Sequence, residues 1–232
     1  MLASPERAKA VAAYFKTGPG QYGEGDKFAG LAVPQIRTLA RTYKGLGVPD
    51  LTELLRSEIH EERLLALLIL AARSEKGDAQ TRKGVFDIYV QNLAGVNNWD
   101  LVDMSAPVIV GPYLQDKPKK RLYDWARSES LWERRIALLA TFHYIRQGNP
   151  ALAFEIIELL LQDRQDLIHK AAGWMLREVG KRCGREVLTG FLEKHAAEMP
   201  RTMLRYAIEH FTKEERQDYM GRRAAAKRTE ST

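Results

Sequence analysis

Five residues that open apolar helical stretches recur at nearly constant intervals along this chain. They are Arg63, Trp99, Arg135, Lys170 and Arg205, separated by 36, 36, 35 and 35 residues. Three of them share a pattern of cation, any residue, alanine: Arg135-Ile136-Ala137, Lys170-Ala171-Ala172 and Arg205-Tyr206-Ala207. A period of this length with two helices per unit is the mark of an α-solenoid. The tetratricopeptide signature of tryptophan, glycine and tyrosine is absent, which favours HEAT-like units. Residues 64–70, 136–140 and 154–161 read as buried or amphipathic helices. No alternating stretch bounded by tight turns supports a sheet. The expected fold is all-α: a solenoid of HEAT-like helical repeats forming one domain over residues 1–220. The basic run from Arg222 to Arg228 lies in a tail, residues 221–232, expected to be disordered and to add non-specific phosphate affinity.

Equivalent positions of a solenoid line up on one surface. The five residues are therefore expected to form a ladder along a basic concave groove. The 232 residues carry 36 Lys and Arg against 30 Asp and Glu, a net charge of +6, which suits an anionic partner. No apolar run approaches the ~20 residues of a membrane span, and the N-terminus lacks a signal-peptide hydrophobic region. A single cysteine, Cys183, rules out an internal disulfide and fits a reducing cytoplasm. A cytoplasmic protein is expected, and a monomer, because a solenoid with its own caps needs no second copy.

The groove would hold a small set of groups able to do chemistry. Trp99 and Asp103 stand four residues apart, so they share one face of a helix. A carboxylate in a cationic groove should be ionised at neutral pH, ready to stabilise an oxocarbenium ion or orient attacking water. Asp100 falls on another face and reads as a cap or anchor. Trp174 follows Lys170 by one turn and precedes Arg177 by three residues, so these three share a side of their helix. Aromatic faces there can contact a sugar, stack on a base and favour positive charge. Trp125 and Trp132 flank a turn and read as packing residues. There is no Walker loop or G-x-G-x-x-G, and the five histidines are scattered without metal-ligand spacing, so neither metal nor cofactor is expected. Cys183 follows Lys181 and Arg182 but has no evident catalytic partner, and an inert thiol is expected.

These motifs resemble the AlkD-like bacterial DNA alkylation repair glycosylases, from about Tyr14 to Phe211. The matching elements are Trp99-Asp100-Leu101-Val102-Asp103, Trp132-Glu133-Arg134-Arg135 and the run from Lys170 to Glu178, with Phe28-x-Gly30 and Pro34-x-x-Arg37 near the N-terminus. The resemblance implies a C-shaped stack of HEAT-like repeats holding duplex DNA. It implies hydrolysis of the N-glycosidic bond of cationic N3- and N7-alkylated purines, such as 3-methyladenine and 7-methylguanine, without flipping the base into a pocket. By the same resemblance Asp103 is the catalytic aspartate, Trp99 and Trp174 cradle the sugar-phosphate of the lesion, and Arg135 is a phosphate-side arginine. Tyr14 is a groove aromatic and Arg177 a DNA contact, and Arg63, Lys170 and Arg205 complete the DNA-binding ladder. Asn98 and Asp166-Leu167 depart from the family pattern, where some members have aromatics, so lesion range and affinity should differ.

Two other readings compete. One is a non-catalytic HEAT-repeat protein that binds bent or branched DNA. The other is a protein-interaction solenoid whose groove takes a peptide. The register of cations with tryptophan argues against the peptide groove. Only Asp103 and its two tryptophans separate the enzyme from the DNA-binding protein.

Overall fold

A computed structural model describes the backbone of residues 3–229 and the side chains up to residue 222. The described residues are helical throughout, apart from turns and one isolated parallel bridge between Lys27 and Ile59. The chain divides into two compact units, Met1–Tyr113 and Leu114–Thr232.

The first unit contains α1 (Pro5–Tyr14), α2 (Val33–Thr42), α3 (Val48–Leu55), α4 (His60–Lys76), α5 (Ala79–Gln91), a short 3-10 turn (Leu93–Gly95) and nearly all of α6 (Trp99–Leu114). Helix α4 is central and packs against α2, α3 and α5. Its sequence is apolar on more than one face, so Leu64, Ala66, Leu67, Ile69 and Leu70 are all buried. Pro107 and Pro112 lie inside α6 and interrupt its hydrogen-bond ladder. Pro112 cannot donate to the carbonyl of Val108 four residues earlier, and the buried Ser74 hydroxyl of α4 donates to it instead at 2.9 Å. The same serine thereby ties α4 to α6.

The loop before α2 is held from below. The buried Glu61 carboxylate accepts the backbone N–H groups of Ala29 (2.9 Å), Gly30 (2.8 Å) and Leu31 (3.1 Å). Gly30 has φ +80°, and a Cβ there would meet the Ser4 carbonyl at 2.2 Å, so only glycine fits this turn.

The second unit runs through α7 (Lys120–Ala126), α8 (Leu131–Ala140), α9 (Phe142–Ile145), α10 (Ala151–Leu159), α11 (Asp166–Arg182), α12 (Arg185–His195), α13 (Arg201–Ala207) and α14 (Lys213–Thr229). Helix α11 is its centre, packed against α8, α9, α12 and α13. It buries Ile168, Met175, Leu176 and Val179. Gly173 lets α13 approach closely, since a Cβ there would meet the Met203 carbonyl at 2.4 Å. Helix α14 continues to Thr229, past residue 221, where the sequence predicted a disordered tail to begin.

Candidate functional site

Helix α6 opens with the residues of greatest chemical interest. Asn98 sits at its N-cap position, its carbonyl accepting the Val102 N–H at 3.2 Å and its Oδ1 the Trp99 N–H at 2.9 Å. It is fully buried, and its Nδ2 donates to Asp26 Oδ2 at 3.0 Å. The departure from the family pattern at this position is therefore an anchor inside the protein. Trp99 is half-buried and lies flat on Phe15, ring centres 5.0 Å apart and planes 7° from parallel. Tyr14 presents its edge to Trp99 at 6.0 Å and is 68% exposed, so an open aromatic surface stands at the end of α1. Asp103, one turn after Trp99, is half-buried.

Beneath this surface is a buried set of charges that the sequence did not point to. His60 opens α4 and is enclosed, its Nδ1 2.8 Å from Asp26 Oδ2 and its Nε2 2.9 Å from Asp100 Oδ2. Arg63, one turn along α4, pairs with Asp26 Oδ1 and donates to the Ser57 carbonyl at 2.8 Å. Burial alone would push the His60 pKa down, but its hydrogen bonds to Asp100 and Asp26, with their charges, hold it up at about 9. Burial also works to raise the Asp26 pKa, and the bonds and charges of His60 and Arg63 outweigh it and lower it. Asp100 is the anchor the sequence predicted. Arg63 departs from its predicted place in an open ladder, because Asp26 and the Ser57 carbonyl draw its guanidinium into the core.

In the second unit Arg135, Lys170 and Arg205 are each the fifth residue of their helix, α8, α11 and α13. The repeat period therefore marks equivalent helical positions here, although the side chains behave differently. Arg135 is buried and donates to the Leu167 carbonyl at 2.6 Å, linking α8 to the start of α11. Lys170 is half-buried and pairs with Asp166 at 2.8 Å. Arg205 is exposed. Arg177 pairs with Glu209 of the segment after α13. The Asp166 carboxyl is raised by burial but lowered more strongly by hydrogen bonds to Lys170 and Thr202, so its net shift is downward. Trp174 is half-buried, 5.9 Å from the Phe142 ring, and the Arg146 and Arg182 guanidinium groups cover Phe142 at 4.3 and 5.3 Å. Trp125 is buried, as a packing residue is, while Trp132 is half-buried like Trp99 and Trp174. Cys183 is half-buried, its thiol pKa raised by burial, which suits an inert thiol.

Among the described residues no group of three or more His, Cys, Asp or Glu is placed to hold a metal ion. Nor is any described helix long and apolar enough to cross a membrane.

A family model described as DNA alkylation repair enzyme matches residues 1–211. A search of curated proteins finds no match. Among solved structures, a predicted DNA alkylation repair enzyme from Enterococcus faecalis is similar with a TM-score of 0.70 at 17% identity, covering 92% of this chain and 98% of that one. AlkD2 from Streptococcus mutans is similar with a TM-score of 0.53 at 16% identity, covering 90% of this chain and 98% of that one. At these identities the likeness is one of fold.

Proposed function

Because the chain belongs to the DNA alkylation repair enzyme family, we propose that it is a monofunctional DNA glycosylase. Its substrate would be duplex DNA carrying cationic N3- or N7-alkylated purines, such as 3-methyladenine and 7-methylguanine. The observation that carries this reading is the first turn of α6. There the Asp103 side chain lies one turn from a tryptophan that is flanked by an open tyrosine and stacked on a phenylalanine.

The chemistry suits those groups. An alkylated purine already bears positive charge, so its bond to C1′ breaks with the electron pair leaving on the base, which departs neutral. Cationic character remains on the deoxyribose. The Asp103 carboxylate stabilises it, and the faces of Trp99 and Trp174 favour positive charge beside them. Water adds at C1′ and loses its proton to the carboxylate or to solvent. No lysine adduct, metal or cofactor is needed. Tyr14, Lys170, Arg177 and Arg205 are assigned to the DNA backbone, along the concave groove of the proposed solenoid. Arg63 and Arg135, buried on protein partners, act by holding in place the helices that carry Trp99 and Trp174. Reading the lesion from the backbone side leaves the base unflipped, and one copy of the chain suffices.

The test compares wild type with Asp103→Asn on alkylated duplex. The substitution should cut the formation of abasic sites by about 100-fold or more while duplex affinity stays within about threefold. Abasic sites formed equally by both proteins would exclude Asp103 from the chemistry. Tight duplex binding with no abasic sites from wild type would leave a non-catalytic DNA-binding protein.

A further inference from the structure

We propose that Arg63, Asp26, His60 and Asp100 form one charge-compensated relay in which His60, as an imidazolium, is the positioning residue for the first turn of α6 and for Trp99. Its consequence for catalysis rests on the glycosylase reading. Its consequence for the placement of α6 does not.

The protonation follows from geometry. Each ring nitrogen of His60 faces a carboxylate oxygen, at 2.8 and 2.9 Å. An ionised carboxylate only accepts, so a neutral imidazole would aim a lone pair at one of them. With both carboxylates ionised, both nitrogens donate. The set then holds two anions, Asp26 and Asp100, against two cations, His60 and Arg63. The other groups around the ring are committed elsewhere. Glu61 accepts the backbone of residues 29–31, and Lys27 lends His60 only its carbonyl, at 2.8 Å, while its ammonium pairs with Glu58. Asn98 is neutral and donates to Asp26. Phe28 stacks on the ring with centres 4.5 Å apart, and Phe15 packs against it at 5.0 Å, tilted by 55°.

Two routes lead from His60 to the tryptophan. One is covalent: Asp100 is the next residue in α6 after Trp99. The other is through packing: Phe15 touches the His60 ring and stacks on Trp99. Buried ion pairs are weak stabilisers compared with apolar packing, because desolvation offsets their attraction. A buried set of four joining α4, the loop at Asp26 and α6 is better explained by what it orients. Removing the charge on His60 should let the first turn of α6 shift, and Trp99 with it.

The test follows the indole Nε1–H signal of Trp99 by NMR, assigned by its loss in Trp99→Phe, alongside the His60 ring signals from pH 6 to 10. In wild type the indole signal should titrate with His60 near pH 9. The titration should vanish in His60→Gln. In Asp100→Asn it should move down by about one pH unit or more. Release of alkylpurine by Asp100→Asn should fall about tenfold, its alkaline limb moving with the same midpoint, while duplex affinity changes less than about threefold. The proposal is overturned if His60 is neutral at pH 7.5, or if the Trp99 signal ignores its titration. An active wild type without that coupling would remove the relay and keep the glycosylase. A coupled Trp99 in a wild type that releases no base would remove the glycosylase and keep the relay.

Discussion

Tyr14 and His60 show how differently two residues of one small region can act. Tyr14 is open to solvent and touches the fold mainly through the rings of Phe15 and Trp99. Replacing it with alanine should change stability by less than about 0.5 kcal/mol. Base release should still fall by about tenfold, the scale of one lost aromatic contact to nucleic acid. A thermal melt and a rate measurement on Tyr14→Ala separate the two effects. His60 is enclosed and ionised, so it contributes to stability through pH. Its folded pKa of about 9 lies above the unfolded value of 6.5. That contribution is fully present below about pH 6.5 and is lost as pH rises through 9. Asp26 works in the opposite sense: its folded pKa is lowered, so its contribution is present above its ordinary range and is lost as pH falls below it. The melting temperature of wild type should therefore decline from pH 7 to pH 10, and that of His60→Gln should be lower and nearly flat across the same range. A wild-type melting temperature that rises over that range would contradict the assignment.

At the scale of elements, two contacts join helices that carry the proposed site. Gly173→Ala would drive a methyl group onto the Met203 carbonyl between α11 and α13, at a cost of about 1–3 kcal/mol. Ser74→Ala would leave the Val108 carbonyl, already denied a backbone donor by Pro112, without its hydroxyl partner, costing about 1–3 kcal/mol. Denaturant unfolding of each variant measures both. The helical class could be read from the chain, because apolar periodicity acts locally, but proline did not mark every helix end, since Pro107 and Pro112 lie inside α6. The period went further, placing Arg135, Lys170 and Arg205 at the same position of α8, α11 and α13. What it could not give was the direction of each side chain. Arg63 and Arg135 turn inward because Asp26 and the Leu167 carbonyl lie there, and neither partner is near in sequence. His60 is 34 residues from Asp26 and 40 from Asp100. No local pattern marks such a set. Asn98 and Asp100 flank Trp99 in the chain, and their polar side chains gave no sign that both would be buried.

For the molecule as a whole, the +6 charge and the cations of the second unit are assigned to a polyanion. Duplex affinity should fall steeply and linearly on a log–log plot against salt. Single replacement of Lys170, Arg177 or Arg205 by alanine should each lower the slope by about one and weaken binding to every sequence alike. A replacement that changes sequence preference instead would mark a base contact. The family places the chain in alkylation repair, and the chemistry of a cationic alkylpurine that departs as a neutral base asks of the protein only an anion, aromatic faces and a hold on the backbone. The most direct measurement is release of free base from duplex DNA methylated at purine nitrogens, with the products identified by mass. Wild type should liberate 7-methylguanine and 3-methyladenine and leave intact strands bearing abasic sites. Duplex that is bound but yields neither base would contradict the glycosylase assignment.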